Sequence, residues 1–296
     1  MNPQSQALRA SPDRVSQGGH ILLFNDMEAM LRGRITGLVP SNGTDATNDI
    51  NITAGACRNA AHDGVIQAGD AWVKALDGSV GWTKGNGVGV QGRPAAVAVS
   101  DTTWHLFILG SSRNRNLVDY GFDTSVTAAN LIADANVIAA GFDRYRRVFS
   151  FKRIAGVNQA LTAYEMSGGG LRVELSVPIR DFSTNNPGTN AVTWTTACPS
   201  GIKFITECRF GAFNTSATTR SAWVTSPDQT NSVPVIQTLR MLTVDANNAT
   251  NANTVISMQV RRVCDTAAAL RYRWDASDAS LTAEGYTIGW EDMRTS

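Results

Sequence analysis

Apolar residues recur at every second position through much of this chain. Leu171, Val173, Leu175 and Val177 alternate with Arg172, Glu174 and Ser176, while Leu270, Tyr272 and Trp274 alternate with Arg271 and Arg273. Val118, Tyr120 and Phe122 are separated by Asp119 and Gly121, and Ile256, Met258 and Val260 by Ser257 and Gln259. A two-residue period is that of a β-strand, which turns successive side chains to opposite faces. Phe149-Ser150-Phe151-Lys152-Arg153 places two aromatics on one such face. Trp104-His105-Leu106-Phe107-Ile108-Leu109 is apolar on both faces, which predicts a central strand with His105 as a hydrogen-bonded core residue.

Turn-forming residues punctuate these runs: Pro40-Ser41-Asn42-Gly43, Asp77-Gly78, Ser167 to Gly170, Asn185-Asn186-Pro187-Gly188 and Asp245 to Asn248. Only residues 125–140 have the composition of a helix. Short strands with Gly- and Asn-rich turns predict an all-β fold, an antiparallel β-sandwich or jelly-roll-like assembly. Residues 1–19 are polar, lack aromatics and end in Gly18-Gly19, so they read as an extended N-terminal arm before the apolar run Ile21 to Phe24. Fully extended, such an arm reaches up to about 65 Å, enough to dock on a particle or enter a neighbouring subunit. The glycine run at 168–170 suggests a soft division into a first β-region, 20–166, and a second, 167–296, within what can be one continuous sandwich.

Composition narrows the partners. The 296 residues carry a formal net charge of +1 and only 17% charged side chains. Near-neutrality removes the general phosphate attraction of nucleic-acid binders. No run approaches the roughly 20 apolar residues of a membrane span, and Met1-Asn2-Pro3-Gln4-Ser5 is not the start of a secretory signal. The expectation is assembly in a cytoplasm with release by lysis. Neutral Thr and Asn on strands that otherwise alternate well leave faces able to pack on copies of the chain, which predicts a symmetric oligomer such as a homotrimer.

Cofactor and metal chemistry find little footing. Cys57, Cys198, Cys208 and Cys264 form no C-x-x-C, and His20, His62 and His105 are isolated, so free buried thiols and no metal site are expected. Gly87-Val88-Gly89-Val90-Gln91-Gly92 matches a dinucleotide-binding fingerprint in letters alone, because Arg93-Pro94 follows where a helix must open. It reads as a hairpin loop, and no cofactor is expected. Glu165, Glu174, Asp181 and Glu207 are the acids from which a glycosidase pair would be drawn. Their separation is not legible, and the chain is read as a non-enzyme.

Seven tryptophans accompany this modest charge. Trp104 and Trp274 alternate with core-like neighbours and read as packing residues. Trp82, Trp194 and Trp223 lie near turn-rich stretches, where recognition concentrates. With Arg220, whose planar fork suits hydroxyls and acidic groups, they form the candidate receptor-binding set.

Five blocks appear in a suggestive order: Asn48 to Gly55, Trp104 to Phe107, Val118-Asp119-Tyr120, Phe151 to Gly156 and Gly289 to Arg294. In order and spacing they resemble a C-terminal β-domain of tailed-phage fibre or spike proteins. That resemblance implies a virion component, usually trimeric, that contacts a host-surface polysaccharide or protein and joins other virion proteins, here through the arm. The alternative is a capsid decoration or connector protein without a receptor role. The resemblance carries no catalytic residues with it.

Overall fold

The computed structural model describes residues 35–78, 80–215, 218–234, 242–244 and 256–294. The arm expected over 1–19, the Ile21–Phe24 run and the turn expected at Asp245–Asn248 lie outside the described residues. In chain order the strands are β1 (Ile35–Gly37), β2 (Pro40–Asn42), β3 (Asp49–Ile52), β4 (Gly55–Arg58), β5 (Val65–Ala68), β6 (Trp72–Ala75), β7 (Thr103–Gly110) and β8 (Val118–Asp123). Two short helices follow, α1 (Ala129–Ile132) and α2 (Ala135–Ala139). Then come β9 (Arg144–Ile154), β10 (Val157–Asn158), β11 (Leu161–Glu165), β12 (Leu171–Asn185), β13 (Val192–Thr195) and β14 (Ile205–Asn214). The last are β15 (Arg220–Thr225), β16 (Leu242–Val244), β17 (Ile256–Val263), β18 (Ala269–Trp274) and β19 (Leu281–Asp292).

These strands make an all-β, antiparallel fold of four sheets. An eight-stranded sheet, ordered β17-β14-β19-β12-β11-β2-β3-β6, runs through the molecule. One half packs against the sheet β13-β18-β15-β16, burying Phe210, Ala212, Leu281 and Ala283 on one side and Trp194, Val224, Tyr272 and Trp274 on the other. Phe182 stacks on Tyr272 with ring centroids 5.1 Å apart. Ile50 and Ile52, in the other half, share the same core with Leu106, Ile108, Tyr120 and Phe151 of the sheet β10-β9-β7-β8. The three-stranded sheet β1-β4-β5 adds Ile35, Cys57 and Ile66 to it.

The glycine run at 168–170 is the turn of the β11–β12 hairpin. Met166 N–H donates to Gly170 O (2.8 Å) and Gly169 N–H to Met166 O (3.0 Å). Gly168 and Gly169 take φ of 94° and 84°, where a side chain is strained. Both β-regions therefore feed one eight-stranded sheet.

All eight residues of β7 are buried, as a central strand requires. Trp104, Leu106 and Ile108 face the main core, while Phe107 and Leu109 face a second cluster with Leu131 of α1, Val137 of α2, Phe142 and Trp82. The helical composition of 125–140 thus serves to cover β7. It forms two short helices rather than one, because the Asp134 carboxylate accepts from Asn136 N–H (2.9 Å) and starts α2 afresh. Asp123 of β8 accepts from the Asn130 and Leu131 N–H groups at 2.9 and 2.8 Å, capping α1 across space.

Three local expectations fail. Pro40–Asn42 is a strand, not a turn, with Pro40 at its first position where a missing N–H is tolerated. Val177 is 72% exposed although Leu171, Val173 and Leu175 are buried. The pairing of β12 with β19 slips between Glu174 and Ile179, and that irregularity turns Val177 out of the alternation. Asp119 is buried rather than on a solvent face, since β8 is covered on both sides.

Candidate functional site

The four candidate receptor-binding residues do not converge. Trp82 is buried, with its indole N–H on Tyr120 O (2.9 Å) and its ring edge-on to Phe142. Trp194 is buried among Phe182, Phe210 and Tyr272. Neither can touch a partner in this fold. Their turn-rich flanks misled, because the indoles themselves fill the two core clusters. Arg220 begins β15, with Nε 3.4 Å from the Asp278 carboxylate. Trp223, three residues on, points to the opposite face of the same strand by alternation.

Arg220 and Trp223 both keep partly exposed positions, and of the two only Trp223 carries an indole. It is half-buried on the outer face of its sheet, directly across from Arg273 of β18. Arg273 Nε donates to Thr189 O (2.9 Å) and Nη1 lies 3.4 Å from Asn231 Oδ1. One row along, Arg271 donates to Thr225 Oγ1 (3.2 Å) and to the carbonyls of Ser226, Pro227 and Gln229. The guanidinium therefore pins the loop that leaves β15. Exposed Thr193 continues the row on β13. An indole, two arginines and a loop with exposed Asp228, Gln229, Thr230 and Asn231 make a polar surface around one aromatic. The alternation around Leu270-Tyr272-Trp274 had already put Arg271 and Arg273 outside; the partner strand beside them was not legible.

The same loop walls a cleft of about 520 Å³ at the β17 edge, lined by Ile205, Ser226, Asp228, Gln229, Arg261 and Val263 with Arg262. Two of its charges are matched. Lys203 Nζ is 2.7 Å from Asp228 Oδ2, and Arg261 meets Glu291. The acids from which a hydrolytic pair would be drawn are differently placed. Glu174 and Glu207 both bind Arg172 Nη2, at 3.2 and 3.1 Å, so a guanidinium stands between them. Asp181 lies inward, accepting from Thr287 Oγ1 (2.8 Å) and Ala197 N–H (3.1 Å), and burial pushes it up to about 6. Glu165 accepts from Gly37 N–H at 3.0 Å.

All four cysteines are buried and free. Burial raises Cys57 and Cys198 to about 12. His105 Nδ1 lies 2.7 Å from Ser150 Oγ, and burial together with Arg147 lowers the ring to about 4. Among the described residues no His, Cys, Asp or Glu group could hold a metal ion, and no helix is long and apolar enough to cross a membrane. The segment Gly87–Gly92 is a loop clipped to β6, with Gly87 N–H on Val73 O and Gly92 N–H on Ala75 O.

The five quoted blocks each give residues to the main core, Ile50 and Ile52, Trp104 and Leu106, Tyr120, Phe151 and Trp290, and arginines on and beside them bond across it. Arg153 Nη1 donates to Thr47 O (3.0 Å) and Leu76 O (3.2 Å), and Nη2 to Asn48 Oδ1 (2.8 Å). Arg147 forks onto both Asp292 oxygens at 2.6 and 2.9 Å. Arg146 donates to Arg294 O (2.8 Å), and Arg294 to Gly37 O (3.0 Å). The charged ends of β9 and β19 are thereby stitched to the first described strands.

No family model matches the chain. No curated protein sequence matches it either. Three solved structures show faint likeness. Dimeric latent PorU from Porphyromonas gingivalis is 10% identical with a TM-score of 0.22, over 88% of this chain and 21% of that one. A Cry1Da tryptic core variant from Bacillus thuringiensis gives 9% and 0.18, over 89% of this chain and 53% of that one. A chain of the infectious bursal disease virus Gt strain gives 12% and 0.22, over 88% and 69% respectively. Scores this low decide nothing about this chain.

Proposed function

We propose that the chain is a structural protein of a tailed-phage or phage-like particle, a fibre or spike whose outer sheet face contacts the host surface. One observation carries this reading. Each block that resembles phage fibre domains supplies buried residues to the one main core, Ile50 and Ile52, Trp104 and Leu106, Tyr120, Phe151 and Trp290, and Arg153 joins two of the blocks through Asn48, which supports the reading. On that scaffold the contact falls to Trp223 with Arg273 and the pinned loop after β15. An indole face stacks on a sugar ring while neighbouring amides and guanidinia reach its hydroxyls. The chain self-associates, most simply as a trimer, and sits in the virion.

Antibody labelling of purified particles, paired with binding of the isolated protein to host cells, tests this. The expected result is label on the particle and a loss of roughly thirtyfold in cell affinity for Trp223→Ala, about 2 kcal/mol, with the melting temperature nearly kept. Unlabelled particles overturn the reading. Labelled particles whose protein ignores the cells favour the decoration or connector role. Light scattering that finds only a 31.6 kDa species removes the oligomer.

A further inference from the structure

Lys74 of β6 and Asp119 of β8 form an ion pair with both side chains fully buried and Nζ 2.8 Å from Oδ1. β6 ends the eight-stranded sheet and β8 ends the sheet β10-β9-β7-β8, so the pair joins the edge strands of two layers. Such a pair gives up hydration that mutual attraction recovers only in part. Burial lowers Lys74 and raises Asp119, against their attraction for each other. Both shifts favour passing the proton across, to amine and carboxylic acid.

The surroundings suit a reaction between the two. Asp119 Oδ2 accepts from Gly85 N–H (2.7 Å) and Oδ1 from Tyr120 N–H (2.6 Å). Fixed amide donors on both oxygens polarise Cγ and stabilise charge that develops on those oxygens when a nucleophile adds. Nζ is aimed by a bond to Thr83 O (2.6 Å) and lies 5.0 Å above the centre of the Trp82 ring. Rigid strands hold the partners together, replacing an encounter with a standing contact. Full burial keeps bulk water from the product.

We propose that Lys74 and Asp119 condense to an intramolecular isopeptide bond linking β6 to β8. The Nζ–Cγ bond forms and one Cγ–O bond breaks. The departing oxygen leaves as water with two protons from the ammonium, and the two charges vanish together. No oxidant, reductant or co-reactant is needed. The amide closes a covalent loop that contains the glycine-rich segment 85–92 and ties β6 to β8 beside Gly92, whose N–H and carbonyl already bond Ala75 and Phe122 of those strands.

Intact-mass measurement of the purified full chain, fresh and after prolonged incubation at neutral pH, tests the bond. The expected mass is one water below that of the sequence. A digest under denaturing conditions should yield a branched peptide joining the Lys74 and Asp119 segments, and Lys74→Arg should restore the full mass. A full wild-type mass at both times overturns the proposal. A one-water deficit that persists in Lys74→Arg also overturns it, because dehydration elsewhere, as at Asp77-Gly78, leaves the same deficit. The branched peptide needs no variant: its absence from a dehydrated wild-type chain is equally decisive.

Discussion

Replacing Asp292 by Asn keeps the shape of the last strand's end and removes one charge. The consequence follows from burial. Arg147 and Asp292 are each 2% exposed and share two short hydrogen bonds, so Asp292→Asn strands a guanidinium away from water without its carboxylate. Breaking one side of a buried pair costs about 3–5 kcal/mol. At about 2–4 °C per kcal/mol for a chain of this general size, the melting temperature falls by roughly 6–20 °C.

Removing both charges should do far less harm. Arg147→Met with Asp292→Leu also forfeits the bonds to Ser150 Oγ and Arg294 N–H, worth about 1 kcal/mol each. The double variant is therefore expected within about 2 kcal/mol of the wild type, and the two singles are strongly non-additive. Thermal melts of the four proteins give the cycle directly. A pH series adds a second check. Burial alone would raise Asp292, but the charge and hydrogen bonds of Arg147, with the Arg294 N–H, hold it below its ordinary 3.8. The carboxylate's contribution is thus full above 3.8 and is lost as the pH falls through the lowered folded value. Wild type and Asp292→Asn should converge in acid. An unchanged melt for Asp292→Asn at neutral pH, or a double variant as weak as the sum of the singles, would refute the argument.

Trp82→Ala and Trp194→Ala should each lower stability by about 3–5 kcal/mol, whereas half-buried Trp223→Ala should cost clearly less; equal losses in calorimetry would show that all three are core residues. A thiol reagent should find almost no reactive cysteine in the native protein and all four after unfolding, so rapid native labelling would contradict their burial. Between about pH 4 and 6.5 the unfolded chain takes a proton on His105 that the fold refuses, so stability rises with pH there; Asp181, at about 6 against 3.8, binds its proton more tightly in the fold and makes stability fall between those values. Over pH 4 to 6 the two contributions nearly cancel, so relative to the wild type Asp181→Asn should add a rise in melting temperature across that range and His105→Gln should add a fall, while identical slopes in all three proteins would discredit both assignments.

The period-two pattern made the fold class readable because each strand with one open face shows it plainly. β18 is the clear case, with Leu270, Tyr272 and Trp274 inside and Arg271 and Arg273 outside. The pattern fails where a strand is covered twice. Asp119 alternates with Tyr120 and looks solvent-facing, yet it is fully buried, because what lies beyond β8 is set by distant chain, including Lys74 and the Gly85 loop. Arg153 closes a strand pattern as a polar position for the same reason and is an interior stitch. Candidate site residues suffered most, since flanking turns report where the chain bends and not where an indole points. Trp82 and Trp194 sit beside turns and face inward.

That failure has a physical source which also bears on function. In a chain with so few charges, a surplus of them is drawn inside: Lys74, Asp119, Arg146, Arg147, Arg153, Asp292 and Arg294 are all buried. Buried pairs contribute little net stability over apolar packing, but breaking or re-pairing one is expensive, so they favour one arrangement of layers over its neighbours. Here the pairs Arg147–Asp292 and Lys74–Asp119 join segments far apart in sequence, β9 to β19 and β6 to β8, while the Arg294 guanidinium reaches a carbonyl of the first described strand, Gly37 O. Four sheets sharing one core could stack in several registers on hydrophobicity alone. The fixed charge pairs between β6 and β8 and between β9 and β19 favour one, while the sheet that carries Trp223 and Arg273 is seated by apolar packing of Trp194, Val224, Tyr272 and Trp274.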